Sequence, residues 1–407
     1  MKITVQKFGG SSLQSEERRS HCAEHVAAAL RDGFKVVVVV SAMGRAGDYY
    51  ATDTLLELTG GIQPSISKKE QDLLMSCGEN ISAVVFSSLL QQKGIRSYAM
   101  TGSEAGFRVS EVYGEARILD VKTEQLEAVL ESYDAVVVSG FQGETPRGTT
   151  ATLGRGGSDT SATALGAALN ASYVDIFTDV QGIMTADPRI VKNAKPLDVI
   201  TYSEVSNMAY QGAKVIHPRA VEVAMQAEIP IRIRSSFEDG PGTLITSSTS
   251  KVRGIDLDDR PVTAVTHVKD VSQIKVIRPQ DDSLVFSLMA DQQISVDFLS
   301  IHPDFVTFTV PGVLRNKAEV SLQENGFDVT WTDKCAKIAA VGAGMTGVPG
   351  IAAKIVKALK RKGIPILQSA DSHTTIWVLV HEHQMAEAVN ALHDTFLNEE
   401  LHKKEDE

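Results

Sequence analysis

The sequence predicts a layered α/β/α domain with a mostly parallel, open sheet, followed by two small ferredoxin-like α+β units. Up to about residue 245, short apolar runs alternate with amphipathic segments, which is the pattern of a parallel sheet covered by helices. Beyond about residue 263, the chain repeats the order strand, helix, strand, strand, as expected for two ferredoxin-like units. Both observations point to an α/β protein of several domains.

Six apolar runs are the predicted strands of the first domain, and several are apolar on both faces, as in strands buried between two helical layers. They are 2–8, 35–41, 95–100, 134–140, 173–178 and 229–234. The predicted helices between them are 16–31, 68–92, 158–169, 202–211 and 218–226. Pro218 suits the first turn of the last helix.

The composition changes after Pro241, Gly242 and Thr243, where a serine-rich stretch and a charged stretch predict a linker. We therefore divide the chain into a first domain at 1–245, a linker at 246–262, two ferredoxin-like units at 263–325 and 326–397, and an acidic tail at 398–407. The elements predicted in the two units are 273–277, 283–291, 294–300 and 305–310, then 337–342, 350–362, 364–369 and 375–381.

The composition indicates a soluble globular protein, because 43% of the 407 residues are hydrophobic and no apolar run approaches the roughly 20 residues of a membrane helix. The first residues read as a strand and not as a signal peptide, so we expect a cytoplasmic location. A net charge of −11 argues against nonspecific nucleic-acid binding. The three cysteines are widely spaced and lack metal-site spacing, so no metal site is predicted.

The first chemical motif is KFGGSS at residues 7–12, between the first strand and its following helix. Backbone amides and the helix dipole favour anions at such a junction. Glycines let the backbone approach a phosphate, and Lys7 supplies positive charge for phosphoryl transfer. A plain glycine turn is the alternative interpretation. Because GxxxxGK[ST] occurs nowhere in the chain, an ATP-binding fold other than the P-loop type is needed.

The second motif is TLGRGGSDT at residues 152–160, a glycine-rich turn that opens a helix and brings Arg155 close to Asp159. Arginine can bind a carboxylate through two hydrogen bonds. Asp159 could instead be an ordinary acidic residue in a first helical turn. The crowding of glycines around an arginine favours a functional site.

The third motif is TDVQGIMTADPR at residues 178–189, which follows a strand and is too interrupted for a helix or a sheet. Loops at the carboxyl ends of strands are where open α/β sheets bind ligands, although an ordinary crossover loop is the alternative. Lys214, in GAKVIHP at residues 212–218, could be a surface lysine or a second phosphate contact. Spacing alone does not choose between these roles.

Taken together and in this order, the segments resemble the aspartokinases of the amino-acid kinase superfamily over nearly the whole chain. The series is KFGGSS, VVSAMG (39–44), Thr52 with Asp53, SCGE (76–79), GFQG (140–143), TLGRGGSDT, TDVQGIMTADPR and GAKVIHP. The resemblance implies an amino-acid kinase domain and two C-terminal ACT domains. It also marks residues 45–51 as longer than in some relatives, and we interpret this segment as a substrate lid.

The resemblance implies transfer of the ATP γ-phosphoryl group to the β-carboxylate of L-aspartate, with Mg²⁺ bound to ATP and no prosthetic group. The implied catalytic residues are Lys7, Asp159 and Lys214. The positions that match aspartate-binding residues are Ser41, Thr52, Glu79, Arg155 and Ser158. The positions that match ATP-binding residues are Lys7, Gly9, Gly10, Ser11, Thr178, Asp179, Met184, Arg189 and Lys214, with Met184 standing where several members carry a tyrosine.

The implied chemistry is consistent with these residue types. Arg155 can pair with the α-carboxylate of aspartate and Glu79 with its α-ammonium, which leaves the β-carboxylate to attack phosphorus. No general base is required, because a carboxylate is already ionised near neutral pH. 4-Phospho-L-aspartate would be the first intermediate towards diaminopimelate, lysine, threonine and methionine.

The resemblance also implies feedback regulation by an amino-acid effector and a homodimer formed through ACT domains. Diaminopimelate is the favoured effector and lysine or threonine are alternatives, with Val348, Pro349 and Gly350 as candidate regulatory residues. Two other functions stay open at this point. One is another superfamily kinase acting on acetylglutamate, glutamate or uridylate, although acetylglutamate offers no ammonium for Glu79. The other is a catalytically idle amino-acid sensor, against which the intact set of Lys7, Asp159 and Lys214 argues.

Overall fold

The computed structural model describes residues 2–61, 65–213, 215–247, 261–277, 281–345 and 347–398. The chain divides into two compact units. The first consists of Met1–Ile183, Pro196–Ala209 and Lys214–Asp256, and the second of Met184–Lys195, Tyr210–Ala213 and Leu257–Glu407. The segment Met184–Lys195 thus belongs to the second unit, whereas the linear boundaries drawn from the sequence assign it to the first domain.

The main sheet of the first unit contains all six predicted strands, each shifted by no more than a few residues. Its strands are β1 (Ile3–Phe8), β2 (Lys35–Val40), β3 (Ser97–Met100), β6 (Ala135–Ser139), β9 (Val174–Thr178), β10 (Val199–Thr201), β11 (Ile231–Ser235) and β12 (Thr243–Thr246). The strand order is β10-β12-β11-β9-β1-β2-β6-β3. Neighbouring strands are parallel except for β11 and β12, so the predicted mostly parallel sheet is confirmed.

The helices of the first unit are α1 (Gly10–Leu13), α2 (Glu16–Arg31), α3 (Thr52–Glu57), α4 (Lys68–Gln92), α5 (Glu124–Ser132), α6 (Gly157–Ala168), α7 (Tyr202–Tyr210) and α8 (Pro218–Gln226). Local caps explain why α2 and α4 begin at the predicted residues. The Ser15 hydroxyl accepts a hydrogen bond from the Arg18 backbone N–H, and Ser67 and Glu70 form a reciprocal capping box. Pro218 lies in the first turn of α8, as predicted.

Helix α4 is long and apolar enough, by length and composition, to cross a membrane. A single helix of this kind is weak evidence, because core helices pass the same test. Its buried face includes Asp72 and Glu79, and both carboxylates accept hydrogen bonds from other segments of the first unit. These contacts show that α4 packs within the first unit.

A small four-stranded sheet lies beside α4 and was not predicted, because its strands have only three or four residues. Its strands are β4 (Phe107–Val109), β5 (Ile118–Val121), β7 (Gln142–Glu144) and β8 (Thr150–Thr152), in the order β5-β4-β7-β8. The Asp72 carboxylate accepts hydrogen bonds from the backbone N–H of Gly114 at 2.9 Å and from the backbone N–H and hydroxyl of Thr152 at 2.8 and 2.9 Å. These bonds fix the start of the TLGRGGSDT segment against α4.

The second unit is built on one six-stranded sheet. Its strands are β13 (Ala264–Ile277), β14 (Asp297–His302), β15 (Phe305–Pro311), β16 (Asp328–Val341), β17 (Gln368–Asp371) and β18 (Thr375–His381), in the order β14-β15-β13-β16-β18-β17. Its helices are α9 (Asp282–Asp291), α10 (Arg315–Glu324), α11 (Ile351–Arg361) and α12 (Met385–Leu397). All neighbouring strands are antiparallel, and β17 and β18 form a hairpin. Helices α10 and α12 were not predicted.

The two ferredoxin-like units share β13 and β16. The end of β13 packs in one apolar core, where Ile274 is in register with Phe308. The start of β13 packs in the other core, where Val265 is in register with Ala340. In the sequence, the residues of the second core therefore lie both before and after those of the first core. This division follows from the length of β13 and β16, each of which has 14 residues and crosses both cores.

The segment Met184–Lys195 forms part of the second of these cores. Ala186 and Val191 are buried in the same apolar cluster as residues of α11 and α12. The backbone N–H of Val265 donates to the carbonyl of Thr185 at 2.8 Å, and the Thr185 hydroxyl lies 2.9 Å from Nε2 of His393. These buried contacts explain why the segment belongs to the second unit.

Candidate active site

Strand β1 carries Lys7 to the carboxyl edge of the main sheet, between β9 and β2. The Nζ atom of Lys7 lies 2.7 Å from Oδ1 of Asp159, which occupies the first turn of α6. The two side chains are only 13% and 14% exposed. The structure thus brings together two of the three predicted catalytic residues. The third, Lys214, lies outside the described residues.

The turn after β1 has room only for glycine at its centre. A Cβ atom on Gly10 would lie 2.6 Å from the carbonyl oxygens of both Ala42 and Gly44, and the Gly44 backbone N–H donates to the Gly10 carbonyl at 2.9 Å. A Cβ atom on Gly9 would come within 3.4 Å of the Lys7 ammonium. Ser11 follows within the short helix α1. Glycine at these positions keeps the surroundings of the ammonium open, as a phosphate site requires.

Glu79, one of the residues predicted to bind aspartate, has a buried carboxylate. The side chain is only 2% exposed, and Oε1 accepts a hydrogen bond from the Ala42 backbone N–H at 2.9 Å. Within the described part of the chain, Oε2 is buried without a hydrogen-bond partner. Burial raises the pKa of Glu79 to about 8. A buried carboxylate oxygen without a partner is suited to a cationic ligand such as an ammonium group.

Close packing brings the other predicted aspartate positions of this region near Glu79. A Cβ atom on Gly78 would lie 2.8 Å from Cβ of Ala42 and 2.9 Å from the carbonyl oxygen of Tyr50. Ser41 directly precedes Ala42, and Thr52 begins α3 two residues after Tyr50. The absence of a side chain at Gly78 therefore allows three segments of the chain to meet.

The TLGRGGSDT turn depends on a left-handed glycine. Gly156 has φ +70°, and a Cβ atom there would lie 2.2 Å from Cγ of His217. Arg155 is exposed on this turn, and among the described residues no side chain forms an ion pair with it. Ser158 is buried, and its Cβ would lie 3.0 Å from a Cβ atom built on Gly140. The turn therefore holds the exposed Arg155 near a buried serine.

His217 lies against the TLGRGGSDT turn, although the GAKVIHP motif alone predicts no role for it. Its ring packs on Gly156, and burial lowers its pKa while the charge of Asp159 opposes that effect. In the sequence, only the presence of a histidine before Pro218 could have indicated this role. The indication is weak, because residue 217 is also simply the residue that precedes a helix start.

Thr178 and Asp179 lie at the carboxyl end of β9, beside the turn after β1. The Thr178 hydroxyl donates to Oδ1 of Asp179 at 3.2 Å, and the Thr178 carbonyl accepts from the Ser236 backbone N–H at 2.8 Å. Ser236 in turn shares a buried hydrogen bond of 2.6 Å with the hydroxyl of Ser12. These bonds connect the predicted nucleotide loop with α1.

Met184 and Arg189 belong to the second unit, and their place at the nucleotide stays a prediction. Arg189 is 88% exposed and donates two parallel hydrogen bonds to the Asp187 carboxylate, from Nε at 3.0 Å and from Nη2 at 2.7 Å. Met184 directly precedes Thr185, whose contacts with α12 and β13 hold this segment in the second core.

The candidate regulatory residues lie in the second unit at the start of α11. Val348 and Gly350 line a cavity of about 630 Å³ together with Asp371, Ser372 and His373. Pro349 lies between them in the chain, and Gly350 caps α11 with φ +95°. Across the ranges that the structure describes, three or more His, Cys, Asp or Glu residues are nowhere grouped as a metal site.

Comparison with known proteins decides the family. The model of the amino acid kinase family matches residues 2–235, and a model of the ACT domain matches residues 331–394. Over 400 residues the chain is 56% identical to aspartokinase 1 of Bacillus subtilis, covering 97% of this chain and 99% of that protein. The chain belongs to the aspartokinases. This full-length match confirms the predicted family, kinase class and ACT domains, and it sets aside the other superfamily kinases.

Two solved structures of Escherichia coli aspartokinase III are similar to this chain. The structure in complex with aspartate and ADP is 24% identical with a TM-score of 0.77, covering 98% of this chain and all of that one. The T-state structure in complex with lysine and aspartate is 25% identical with a TM-score of 0.79, covering 97% and 99%. The predicted aspartokinase fold is therefore confirmed.

Proposed function

We propose that this aspartokinase transfers the γ-phosphoryl group of ATP to the β-carboxylate of L-aspartate, giving 4-phospho-L-aspartate. The observation that carries the proposal is the ion pair between Lys7 and Asp159, at 2.7 Å beside the turn formed by Gly9 and Gly10. The complex of aspartokinase III with aspartate and ADP supports this pair of substrates.

In this proposal, Lys7 neutralises the negative charge that spreads over the transferring phosphoryl group. Asp159 holds the Lys7 ammonium in position through their ion pair. Mg²⁺ is expected to arrive bound to ATP, as part of the substrate. Because the attacking carboxylate is already ionised near neutral pH, positioning and charge neutralisation dominate the chemistry and no prosthetic group is needed.

The geometry around Glu79 supports the orientation proposed for aspartate. The Oε2 atom of Glu79, which has no hydrogen-bond partner among the described residues, would receive the α-ammonium group, and the exposed guanidinium of Arg155 would receive the α-carboxylate. Ser41, Thr52 and Ser158 would surround the bound amino acid. Thr178 and Asp179, with Met184, Arg189 and Lys214, would contact the nucleotide.

We also propose that an amino-acid effector regulates the enzyme through its ACT domains, with diaminopimelate favoured and lysine or threonine as alternatives. The 45–51 segment is longer than in some relatives, and the family resemblance assigns this feature to one bacterial subgroup, which supports diaminopimelate. The complex of aspartokinase III with lysine supports an amino acid in this role. The cavity lined by Val348 and Gly350 is the candidate effector site. The product would feed synthesis of diaminopimelate, lysine, threonine and methionine in the cytoplasm.

A homodimer formed through ACT domains is part of the proposal. Leu299 and Ile301 are 46% and 58% exposed on β14, which is an edge strand of the second unit's sheet. Exposed apolar side chains on an edge strand favour pairing with another chain. Sedimentation of the purified protein tests this, and a monomer at micromolar concentration would contradict it.

The function is tested by measuring ATP turnover with aspartate, acetylglutamate, glutamate and uridylate in parallel, with hydroxylamine to trap an acyl phosphate. Hydroxamate formed with aspartate alone is expected. The assay is then repeated with lysine, threonine and diaminopimelate, and diaminopimelate should inhibit most strongly. If none of the acceptors stimulates ATP turnover while an amino acid still binds, the result would favour the idle sensor.

A further inference from the structure

The loop after β2 reaches across the end of β1. Strand β1 lies between β9 and β2, with Phe8 in register with Phe177 on one side and Val40 on the other. Asp179 follows β9 and Arg45 follows β2, yet Nη2 of Arg45 lies 2.8 Å from Oδ2 of Asp179. The Arg45 side chain therefore passes over the carboxyl end of β1.

The turn formed by Gly9 and Gly10 occupies that position. Gly44, the residue before Arg45, donates its backbone N–H to the Gly10 carbonyl at 2.9 Å, and its own carbonyl oxygen would lie 2.6 Å from a Cβ atom on Gly10. The backbone just before Arg45 is thus hydrogen-bonded to the glycine turn. Besides the Lys7 ammonium, which lies near Gly9, the Arg45 guanidinium is a second cation on a segment that contacts this turn.

The backbone of this loop is held by several hydrogen bonds, whereas the Arg45 side chain pairs with Asp179 in an exposed position. Oδ2 of Asp48 accepts hydrogen bonds from the Arg45 backbone N–H at 2.7 Å and from Nε2 of Gln14 at 2.9 Å, and the Gly47 backbone N–H donates to the Thr54 hydroxyl at 3.0 Å. In contrast, the side chains of Arg45 and Asp179 are 66% and 49% exposed. Exposed ion pairs of this kind are weak, so a more highly charged partner can replace Asp179.

We propose that Arg45 is a further ATP-binding residue, which pairs with Asp179 in the free enzyme and binds the polyphosphate of ATP when the nucleotide enters. The planar guanidinium forms bidentate hydrogen bonds with phosphate oxygens. This assignment rests on the proposed function for the identity of the nucleotide. It gives the 45–51 segment a role on the phosphate side of the site, in place of a lid over aspartate alone.

Calorimetric titration of the full chain with ATP and with AMP, each with Mg²⁺, tests the assignment. Arg45→Ala should weaken ATP binding about tenfold and change AMP binding less than about twofold, because AMP lacks the β- and γ-phosphates. Arg45→Lys should give an intermediate loss for ATP, since lysine keeps the charge and loses the planar fork.

Arg147→Ala is the matched control. Arg147 is also an exposed arginine of the first unit, 78% accessible and 3.2 Å from Glu111, and its loss should leave both affinities unchanged. Unchanged ATP binding in Arg45→Ala would overturn the assignment, and so would an equal loss for ATP and AMP. A rise in the KM for aspartate with intact ATP binding would overturn it too, in favour of a role at the amino acid.

The same titrations separate this assignment from the proposed function. If the wild-type protein binds ATP with the expected dependence on Arg45 but forms no hydroxamate with aspartate, the phosphate-binding role holds and the proposed reaction is wrong. If wild-type hydroxamate formation is normal and Arg45→Ala binds ATP as tightly as wild type, the proposed reaction holds and the phosphate-binding role of Arg45 is wrong.

Discussion

The Nζ atom of Lys7 lies 2.7 Å from Oδ1 of Asp159, which joins the end of β1 to the first turn of α6. Both side chains are largely shielded from water, so the carboxylate fixes the position of the ammonium. Because burial makes an unpaired charge costly, the two residues depend on each other. The same pair anchors the glycine turn after β1 and the TLGRGGSDT turn to one point.

Removal of the Lys7 charge should therefore abolish most activity. Lys7→Met is expected to lower kcat by about 10²–10³-fold, the usual effect of losing one group that stabilises transition-state charge. Asp159→Asn should also lower kcat, because Lys7 loses its counterion. Steady-state kinetics with saturating ATP and aspartate measure both effects.

Lys35→Met is the control for this prediction. Lys35 pairs with Asp134 at 3.3 Å at the opposite, amino-terminal end of β2, so its loss should leave kcat unchanged. A drop in Lys35→Met as large as that in Lys7→Met would show that the loss reflects general damage to the sheet.

Aspartate binding should release a proton from Glu79. Burial raises the pKa of Glu79 to about 8, so below that pH the free enzyme carries mainly the neutral acid, whereas an ammonium ligand favours the carboxylate. The apparent Kd for aspartate should fall about tenfold per pH unit up to pH 8 and then level off. Calorimetry in two buffers of different ionisation enthalpy measures the released proton. Glu79→Gln should release none, and proton uptake by the wild type would contradict the prediction.

The same residue predicts a loss of stability at alkaline pH in the absence of aspartate. The folded-state pKa of Glu79 is raised, so its protonation contributes stability that is fully present below the unfolded pKa of about 4.3 and is lost as pH rises through about 8. The fall in Tm between pH 6 and 9 should be smaller in Glu79→Gln than in wild type. An equal fall in both proteins would assign the effect to other groups.

Gly156→Ala should disturb the aspartate site through a steric clash as well as through strain in the backbone. A left-handed residue with a Cβ costs about 1–2 kcal/mol, and at Gly156 this atom would also lie 2.2 Å from the His217 ring. We expect the clash to displace Arg155 and Ser158 and to raise the KM for aspartate.

Gly148→Ala provides a matched control for the backbone angle. Gly148 has φ +71°, against +70° at Gly156, but the nearest atom to its Cβ would be Oε1 of Glu144 at an ordinary 3.7 Å. Its free energy of unfolding should fall by about 1–2 kcal/mol with the KM for aspartate unchanged. Equal KM values in the two variants would mean that contact with His217 does not shape the site.

His393→Ala should loosen the segment Met184–Lys195 within the second unit. The variant removes one of the two hydrogen-bond partners of the buried Thr185 hydroxyl, which keeps only the Lys195 backbone N–H at 3.0 Å among the described residues. Loss of a buried hydrogen-bond partner costs about 1–3 kcal/mol. Burial lowers the pKa of His393 in the folded protein. As pH falls below about 6.5, the unfolded chain therefore takes up a proton before the folded chain does, and the free energy of unfolding decreases. Hydrogen exchange of residues 184–195 at pH 7.5 and 5.5 measures both effects. The exposed His383, replaced by alanine, should change neither.

Local chemistry explains which elements were predictable. Helices α2, α4 and α8 begin and end at the predicted residues, because Ser15, the pair of Ser67 and Glu70, and Pro218 mark their starts within one turn of the chain. Strands β10 and β12 have three and four residues and were missed. Strands that short are stable only against their neighbours, and no local pattern announces them.

The sequence by itself determined the motifs, their order, the mostly parallel sheet of the first unit and the aspartokinase family. Only the tertiary structure decided that Lys7 meets Asp159, that Arg45 meets Asp179, and that Thr185 packs against His393 in the second unit. The physical reason is the range of the interactions. Caps, turns and periodicity act over a few residues, whereas these pairs join residues far apart in the chain, and only the packing of whole elements brings them together.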